Sequence, residues 1–288
     1  MSEDPPNALA PGLYLVATPI GSARDITLRA LDILAAADVL AAEDTRSARR
    51  LMEIHGIALA GRPLIAYHDQ NGPQARPRVM AALENGKSVA YVSDAGTPLI
   101  ADPGYQLVRA ALADAHPVTA APGPSAVLTA LSLSGLPTDR FLFAGFPPPK
   151  GGARQRWLAE LAGTPATLVM FESPKRIHRL LEELCQAWDA DRPAALCREL
   201  TKRFEEVRRG PLSDLRDAVA TDPPRGEIVL VVGQGAAAAT DQDVVDAALR
   251  AALADQPVKA ASAAVAAELG LPRRDMYQRA LDLKKAEE

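Results

Sequence analysis

Short apolar runs alternate with segments of helical periodicity over the first half of the chain. The runs that suit buried strands lie at 13–17, 39–42, 64–67, 89–92 and 118–121. Most of them are followed by a segment with apolar residues three or four positions apart, and such alternation is typical of a parallel sheet covered by helices. We therefore predict an α/β domain over residues 12–123, after a proline-rich leader at 1–11 that we expect to be disordered.

The pattern changes beyond residue 139. Predicted strands lie at 141–146, 167–171, 196–200, 204–209 and 227–232. Helices are predicted at 151–162 and 175–188, but no helix separates the third and fourth of these strands, so mixed pairing is expected. We predict a second α/β domain over residues 124–235 rather than a repeat of the first.

A small-residue linker at 235–240 precedes a different kind of segment at 241–288. Helical patterns at 241–254, 258–269 and 273–285 are interrupted by Gly270-Leu271-Pro272 before the last, which is the arrangement of a helix-turn-helix. The alternative is a small helical cap with a solvated surface. In the first interpretation Arg273, Arg274 and Arg279 belong to a basic face that contacts phosphates.

Composition narrows the class of protein. No apolar run approaches 18 residues and the acidic, proline-rich N-terminus is no signal peptide, so we predict neither a membrane span nor export, and expect a cytoplasmic location. The two cysteines and four histidines lack metal-ligand spacing, so no metal is predicted. A net charge of −4 argues against coating nucleic acid by bulk positive charge and leaves room for a local basic face.

The predicted parallel strands end in motifs rich in Gly, Pro, hydroxyls and acids. These are TPIG, EDTR, HDQN, SDAGTP and PGPSA. Ligands of open α/β sheets bind in the crevice beyond the carboxyl ends of the strands, and Gly96 allows close approach to the backbone. Neither a dinucleotide-binding nor a P-loop motif is present. Each loop alone is also compatible with an ordinary strand-to-helix connection.

The order of the motifs is more specific than any one of them. ATPIG, AEDTR, YHDQN, VSDAGTP, APGPSA, FESPKR, RELTK and RGEIVLVV are followed by the helix-turn-helix tail. Over residues 12–285 this order resembles the rRNA-modifying branch of the tetrapyrrole methylase superfamily, the class III S-adenosylmethionine methyltransferases. Asp94-Ala95-Gly96 replaces the Gly-Asp-Pro of the tetrapyrrole branch, which favours the rRNA branch.

The resemblance implies two α/β domains with S-adenosylmethionine in the cleft between them, a helix-turn-helix tail and a homodimer. It implies methylation of the ribose 2'-hydroxyl of a cytidine in 16S rRNA, within the small ribosomal subunit, and a methyl shift from sulfonium to oxygen needs no metal. The cofactor residues it implies are Pro19, Gly21, Asp94, Ala95, Gly96, Thr97, Ser125, Ala126, Phe171, Glu172, Ser173, Leu200, Gly226 and Glu227.

A ribose hydroxyl is a poor nucleophile until its proton is removed, so a base is expected at the same rim. The candidates are Glu43, Asp44 and His68, among which the sequence does not choose. Arg46 could clamp an RNA phosphate or form a salt bridge at a helix start, and Glu199 and Glu205 could hold nearby cations. The predicted RNA contacts are Thr45, Arg46, Asn71, Arg198, Lys202, Arg273, Arg274 and Arg279.

Two other functions compete with rRNA methylation. A methylase acting on a small tetrapyrrole would not need AEDTR or a basic helical tail. A ligand-sensing transcription regulator would need a strongly basic DNA reader, but acidic residues such as Glu268, Asp275 and Asp282 dilute the charge of the tail.

Overall fold

The computed structural model describes residues 9–68, 70–235 and 242–287. It divides into two compact units, Met1–Ala159 with Ala166–Gly233, and Glu160–Pro165 with Gln234–Glu288. Most of the predicted leader and most of the predicted linker lie outside the described residues.

The first sheet is built as the apolar runs predict. Its strands are β1 (Gly12–Val16), β2 (Val39–Ala42), β3 (Leu64–Ala66), β4 (Ser88–Val92) and β5 (Val118–Ala121). They are all parallel, in the order β3-β2-β4-β1-β5. Every residue of β4 is buried, as expected for a central strand with helices on both faces.

The helices of this half are α1 (Leu28–Ala36), α2 (Thr45–Ile54), α3 (Gly72–Glu84) and α4 (Tyr105–Ala113). On one face of the sheet, α3 and α4 pack against Tyr91 and its neighbours. On the other, α1 and α2 pack against Ala90 and Val92. Because successive strand residues point to opposite faces, β4 contributes side chains to both apolar layers.

The second sheet is mixed, which confirms the expected change of pairing. Its strands are β6 (Phe141–Gly145), β7 (Thr167–Glu172), β8 (Pro193–Arg198), β9 (Glu206–Pro211) and β10 (Ile228–Val232). The order is β6-β7-β10-β8-β9, with only β6 and β7 parallel. Strand β8 ends at Arg198, two residues before the predicted end, because Glu199 and Thr201 have positive φ and form a turn. RELTK is therefore largely a turn.

Helices α5 (Ala126–Ser134), α6 (Gly151–Leu161), α7 (Ile177–Ala187) and α8 (Leu212–Thr221) accompany this sheet. Helix α8 is not among the predicted helices, although Leu212, Leu215 and Val219 form its buried side at helical spacing. Helix α5 follows the first sheet in the chain but packs on the second. The predicted boundary near residue 124 stays a prediction.

The second unit contains α9 (Gln242–Asp255), α10 (Val258–Leu269) and α11 (Arg273–Glu287), as the sequence predicts. Gly270 ends α10 in the left-handed conformation. Val245, Leu249, Val265 and Leu283 lie in the shared core. Among the helices that the structure describes, none is long and apolar enough to span a membrane.

Gly104, where the loop after β4 enters α4, has a φ of +118° and no room for a side chain. An added Cβ would lie 2.7 Å from Tyr91 Cε1 and 2.8 Å from Leu99 Cδ2. Gly86 also has positive φ, but a Cβ there meets nothing within 4 Å. The two glycines therefore separate backbone strain from steric overlap.

We expect Gly104→Ala to lower the free energy of unfolding by about 3 kcal/mol, because strain and overlap add. The control Gly86→Ala should cost about 1 kcal/mol, since it adds only backbone strain. Urea unfolding of both variants measures the difference. Equal losses would contradict the packing of Gly104 against Tyr91.

Candidate active site

The loops that follow β1 and β4 are joined where the two strands end. Thr18 and Gly96 exchange both backbone hydrogen bonds, at 3.0 and 2.9 Å. The Thr18 hydroxyl contacts the Ser93 carbonyl at 3.1 Å, and the Ser93 hydroxyl donates to the Gly96 carbonyl at 2.6 Å. Thr97 continues the network by donating to the Pro124 carbonyl at 3.0 Å. The TPIG, SDAGTP and PGPSA loops are thus fixed to one another before any ligand binds.

A cavity of about 360 Å³ lies between these loops and the second sheet. It is of the size that small cofactors occupy. Of the predicted cofactor residues, those that line it are Ala95, Gly96, Thr97, Ser125, Ala126, Phe171, Glu172, Ser173, Gly226 and Glu227. The lining residues that sequence reasoning missed are Ile20, Ile100, Asp102, Val127, Phe146, Pro174, Ile228 and Val229. Most of these are apolar, and apolar residues carry no distinctive signal in a sequence.

The remaining predicted cofactor residues lie elsewhere. Pro19, Gly21 and Asp94 line a second cavity of about 260 Å³, beside α2. Leu200 is buried in the core of the second sheet. A Cβ on Gly21 would lie 2.7 Å from the Leu200 carbonyl oxygen, so this glycine allows two loops to pack closely. The loops follow the carboxyl ends of the strands, as predicted, but their residues are divided between two cavities. The sequence does not show which residue faces which cavity.

One wall of the first cavity is aromatic. The ring of Phe171 lies 4.9 Å from that of Phe143 and 5.4 Å from that of Phe146. Phe146 is 54% exposed although it belongs to this cluster. An exposed ring beside an apolar cavity suits a flat ligand surface such as a nucleobase.

Two carboxylates at the cavity have cationic partners. Glu172 is almost fully buried and accepts bonds from the Ser173 backbone and the Arg176 side chain, both at 2.7 Å. Glu227 is bonded to Lys202 at 3.0 Å, and Lys202 also contacts Glu199 at 2.9 Å. The predicted RNA contact Lys202 therefore lies in an ion-pair network at the cavity.

Asp102 is different. It lines the cavity, and its side chain makes no hydrogen bond or ion pair with any residue that the structure describes. Burial, reinforced by the negative charges of Glu43 and Asp94, raises the pKa of this carboxyl from 3.8 to about 7. Asp102 could have been noticed as a candidate site residue, because it lies in the same Val89–Gly104 stretch as SDAGTP. An acid in a loop is not distinctive by itself, however.

The predicted base Asp44 is held at the start of α2. It caps the helix by accepting from the Arg46 backbone at 2.8 Å and forms a salt bridge with the Arg46 side chain at 3.0 Å. Hydrogen bonds from Arg46 hold the pKa of Asp44 below its ordinary value. Its backbone N–H also donates to Asp94 at 2.9 Å. The salt-bridge alternative for Arg46 is thus the one seen, although its side chain remains 90% exposed.

The other predicted bases are Glu43 and His68. Glu43 follows β2, next to Asp44, and lies near enough to Asp102 to raise its pKa. His68 follows the edge strand β3 and lines neither cavity. Asn71, a predicted RNA contact, accepts from the His68 backbone at 2.8 Å and donates to the Ala66 carbonyl at 3.0 Å. Its side chain therefore stabilises this turn.

The remaining predicted RNA contacts fall into two groups. Arg198 bonds Glu206 at 2.6 Å, and Arg279 bonds Asp246 at 2.7 and 2.8 Å, so both have structural partners within the chain. Glu205 accepts from the Thr201 backbone, and its side chain forms no ion pair with any of the described residues. Thr45 is the first residue of α2. Arg273 and Arg274 are exposed at the start of α11, and their side chains bond to none of the described residues.

Family models match nearly the whole chain. Residues 12–216 match the model of the Tetrapyrrole (Corrin/Porphyrin) Methylases, and residues 238–284 match that of the RsmI C-terminal HTH domain. The chain belongs to the tetrapyrrole methylase family. This membership confirms the expected architecture of two α/β halves followed by a helix-turn-helix.

The relatives within the tetrapyrrole methylases are close. Proteins called ribosomal RNA small subunit methyltransferase I include one of Mesorhizobium japonicum that is 49% identical over 98% of this chain and 96% of its own length. Those of Pseudomonas aeruginosa and Mycobacterium tuberculosis are 42% and 43% identical, over 93% and 95% of this chain and 96% and 95% of their own lengths.

Solved structures of other tetrapyrrole methylases share the fold. A cobalt precorrin-4 methyltransferase gives a TM-score of 0.59 at 20% identity, covering 77% of this chain and 94% of its own. A uroporphyrin-III C-methyl transferase from Thermus thermophilus, complexed with S-adenyl homocysteine, gives 0.54 at 23% identity, covering 77% of this chain and 97% of its own. At such identities the likeness concerns the fold alone.

We expect Asp102→Asn to change the pH dependence of stability. A raised pKa in the folded protein means that folding is favoured at low pH and that this contribution is lost as pH rises from 3.8 to about 7. The unfolding free energy of the variant minus that of the wild type should therefore increase with pH over this range and stay constant above it. Urea unfolding across the range measures this.

The control is Asp114→Asn, which alters an exposed carboxyl at the end of α4. Its curve should follow that of the wild type. Parallel curves for all three proteins would show that Asp102 has an ordinary pKa.

Proposed function

We propose that this protein is an S-adenosylmethionine-dependent methyltransferase that methylates the ribose 2'-hydroxyl of a cytidine in 16S rRNA. The observation that carries the proposal is the 49% identity, over 98% of the chain, to a protein called ribosomal RNA small subunit methyltransferase I. The first cavity and the exposed arginines at the start of α11 are compatible with such an activity.

The first cavity fits the cofactor. Phe146 and Phe171 offer an aromatic wall for the adenine ring, and the loop backbone around Gly96 and Gly226 can approach polar groups closely. The loops are bonded to one another through Thr18, Gly96 and Thr97, so little conformational entropy is lost when a ligand orders them. Bound there, S-adenosylmethionine supplies an electrophilic methyl group carried by a sulfonium.

The protein then contributes by positioning the reacting groups and by shielding them from water. An in-line displacement requires acceptor oxygen, methyl carbon and sulfur to be aligned, and fixed loops accelerate the reaction through that alignment. The apolar side chains of Ile20, Ile100 and Val127 line the cavity and would leave little room for water beside a bound ligand. Excluding water strengthens the electrostatic interactions between the reacting groups.

Helix α2 provides a basic surface beside the second cavity. Arg49 and Arg50 are exposed, and their side chains bond to none of the described residues. Arg50 lines the second cavity together with Ser47 and Asp94, and Asp94 directly precedes Ala95 of the first cavity in the same loop. Unpaired guanidinium groups at the edge of an active site suit RNA phosphates. Sequence reasoning chose Arg46 on this helix, whose charge Asp44 compensates.

The second unit adds Arg273 and Arg274 at the start of α11, a position from which helix-turn-helix proteins contact nucleic acid. With a net charge of −4, the chain presents local basic surfaces rather than a basic whole. That distribution favours a shaped ribonucleoprotein target, the small ribosomal subunit, over naked RNA.

Family membership also supports a homodimer. If the protein acts on ribosomal subunits, it must be where those subunits are, which supports a cytoplasmic location. Sedimentation of the purified protein tests the first of these proposals. Among the described residues there is no group of three side chains that could hold a metal ion, and the proposed reaction requires none.

The direct test of the proposed function is methyl transfer from labelled S-adenosylmethionine to small subunits from cells that lack this protein. We expect label in the rRNA of the subunits and much less in naked 16S rRNA. Absence of label from both substrates, despite cofactor binding in calorimetry, would exclude rRNA as the acceptor.

In this assay, Arg49→Ala/Arg50→Ala should lower kcat/KM for subunits about tenfold or more and reduce the slope of its salt dependence, because two phosphate contacts are lost. The dissociation constant for S-adenosylmethionine should not change.

The matched control is Arg179→Ala/Arg216→Ala, which removes two arginines that form salt bridges on α7 and α8. It should leave the rate and the salt slope near those of the wild type. Equal losses in both double variants would mean that α2 is not the RNA-binding surface and that only total charge matters.

A further inference from the structure

Among the described residues, three carboxylates line the cavity, and Asp102 is the one of them that has no cationic partner in that part of the chain. Glu172 is bonded to Arg176, and Glu227 is bonded to Lys202. The side chain of Asp102 has no such partner among the described residues, and apolar neighbours such as Ile100 line the cavity beside it. A carboxylate without a counter-ion in an apolar cavity binds a proton more strongly than one in water.

The position of Asp102 is fixed from both ends of its loop. Leu99 and Ala101 both have left-handed backbone, with φ of 72° and 62°, which is a strained conformation for side chains of this kind. On the other side, the buried Tyr91 hydroxyl donates to the Pro103 carbonyl at 2.7 Å. Gly104 packs directly on the Tyr91 ring. Strand β4 therefore holds the backbone on the C-terminal side of Asp102 in place.

The groups around Asp102 reinforce its affinity for a proton. Glu43, after β2, and Asp94, after β4, repel its negative charge, while Glu172 and Glu227 across the cavity are matched by cations. Burial raises the pKa of Asp102, and the negative charges of Glu43 and Asp94 raise it further, to about 7. A base whose pKa lies near the operating pH is the most effective in proton transfer, since a substantial fraction of it is deprotonated and that fraction is still basic.

We propose that Asp102 is the general base of the methyl transfer, accepting the proton of the ribose 2'-hydroxyl through its side-chain carboxylate. The inference rests on the proposed function, which supplies both substrates. The 2'-oxygen forms a bond to the methyl carbon while the bond from that carbon to sulfur breaks, and the bonding electron pair stays on sulfur. The proton moves from the 2'-oxygen to Asp102 and later to water, leaving the neutral thioether and the methylated ribose.

The carboxylates and the histidine that the sequence offered are less suited to this role. Asp44 caps α2 and is bonded to Arg46, which lowers its affinity for a proton. His68 and Glu43 line neither cavity. Glu43 instead acts on the reaction through Asp102, whose charge it destabilises.

The experiment compares wild type, Asp102→Asn, Asp102→Glu and the control Asp114→Asn in methyl transfer to small subunits as a function of pH. For the wild type we expect kcat/KM to rise through a pH of about 7, because the base must be deprotonated. Asp102→Asn should lose about 100-fold or more in rate and should lack this pH step. Asp102→Glu should recover part of the rate, and Asp114→Asn should resemble the wild type.

Cofactor binding and unfolding are measured on the same variants. Unchanged dissociation constants for S-adenosylmethionine and unchanged or higher stability of Asp102→Asn would show that proton transfer, rather than binding or folding, is lost. A rate above half that of the wild type would overturn the inference. So would a loss of cofactor affinity as large as the loss of rate.

The two failures are distinguishable. If the wild type binds S-adenosylmethionine and methylates no subunit, the proposed function fails, and the role of Asp102 fails with it. If the wild type methylates subunits and Asp102→Asn does so equally well, only the role of Asp102 is overturned.

Discussion

The backbone pairing of Thr18 with Gly96 is the contact on which the site depends. It joins the loops after β1 and β4, which are neighbours in the sheet only because the strand order is β3-β2-β4-β1-β5. Gly96 lines the first cavity and Thr18 lines the second, so the pair lies between the proposed cofactor site and the proposed RNA-binding surface. Hydrogen bonds from Ser93 and Thr97 extend this pairing toward α5 and the second sheet.

The sequence was sufficient for the architecture because each strand is a short β-branched or apolar run closed by turn residues, and the tail has clear helical spacing with Gly270 at its turn. The sequence was insufficient to predict features that depend on contacts between residues far apart in the chain. The length of β8 depends on the positive φ of Glu199 and Thr201. Neither Glu nor Thr favours that conformation, so the sequence does not predict the turn. The partners of Arg198 and Arg279, namely Glu206 and Asp246, could not be distinguished from other acids in the sequence.

Asp102 illustrates the same limit within the site. Its chemistry arises from burial and from two carboxylates that lie 59 and 8 positions earlier in the chain, at Glu43 and Asp94. The sequence offered Glu43, Asp44 and His68 as candidate bases without choosing among them, and it did not single out the carboxyl of Asp102, whose environment is formed only in the folded protein. The fold is shared with enzymes whose names concern tetrapyrroles, so the architecture alone does not decide the substrate.

The central claim is that a methyl group moves from a sulfonium in the first cavity to a ribose oxygen. The most direct measurement is the position of the label in rRNA from methylated small subunits, after complete nuclease digestion. A methyl group on ribose blocks cleavage at that linkage, so we expect the label in a nuclease-resistant dinucleotide that contains 2'-O-methylcytidine. Label in a mononucleotide with a methylated base would contradict the account, because the acceptor would then be a base atom.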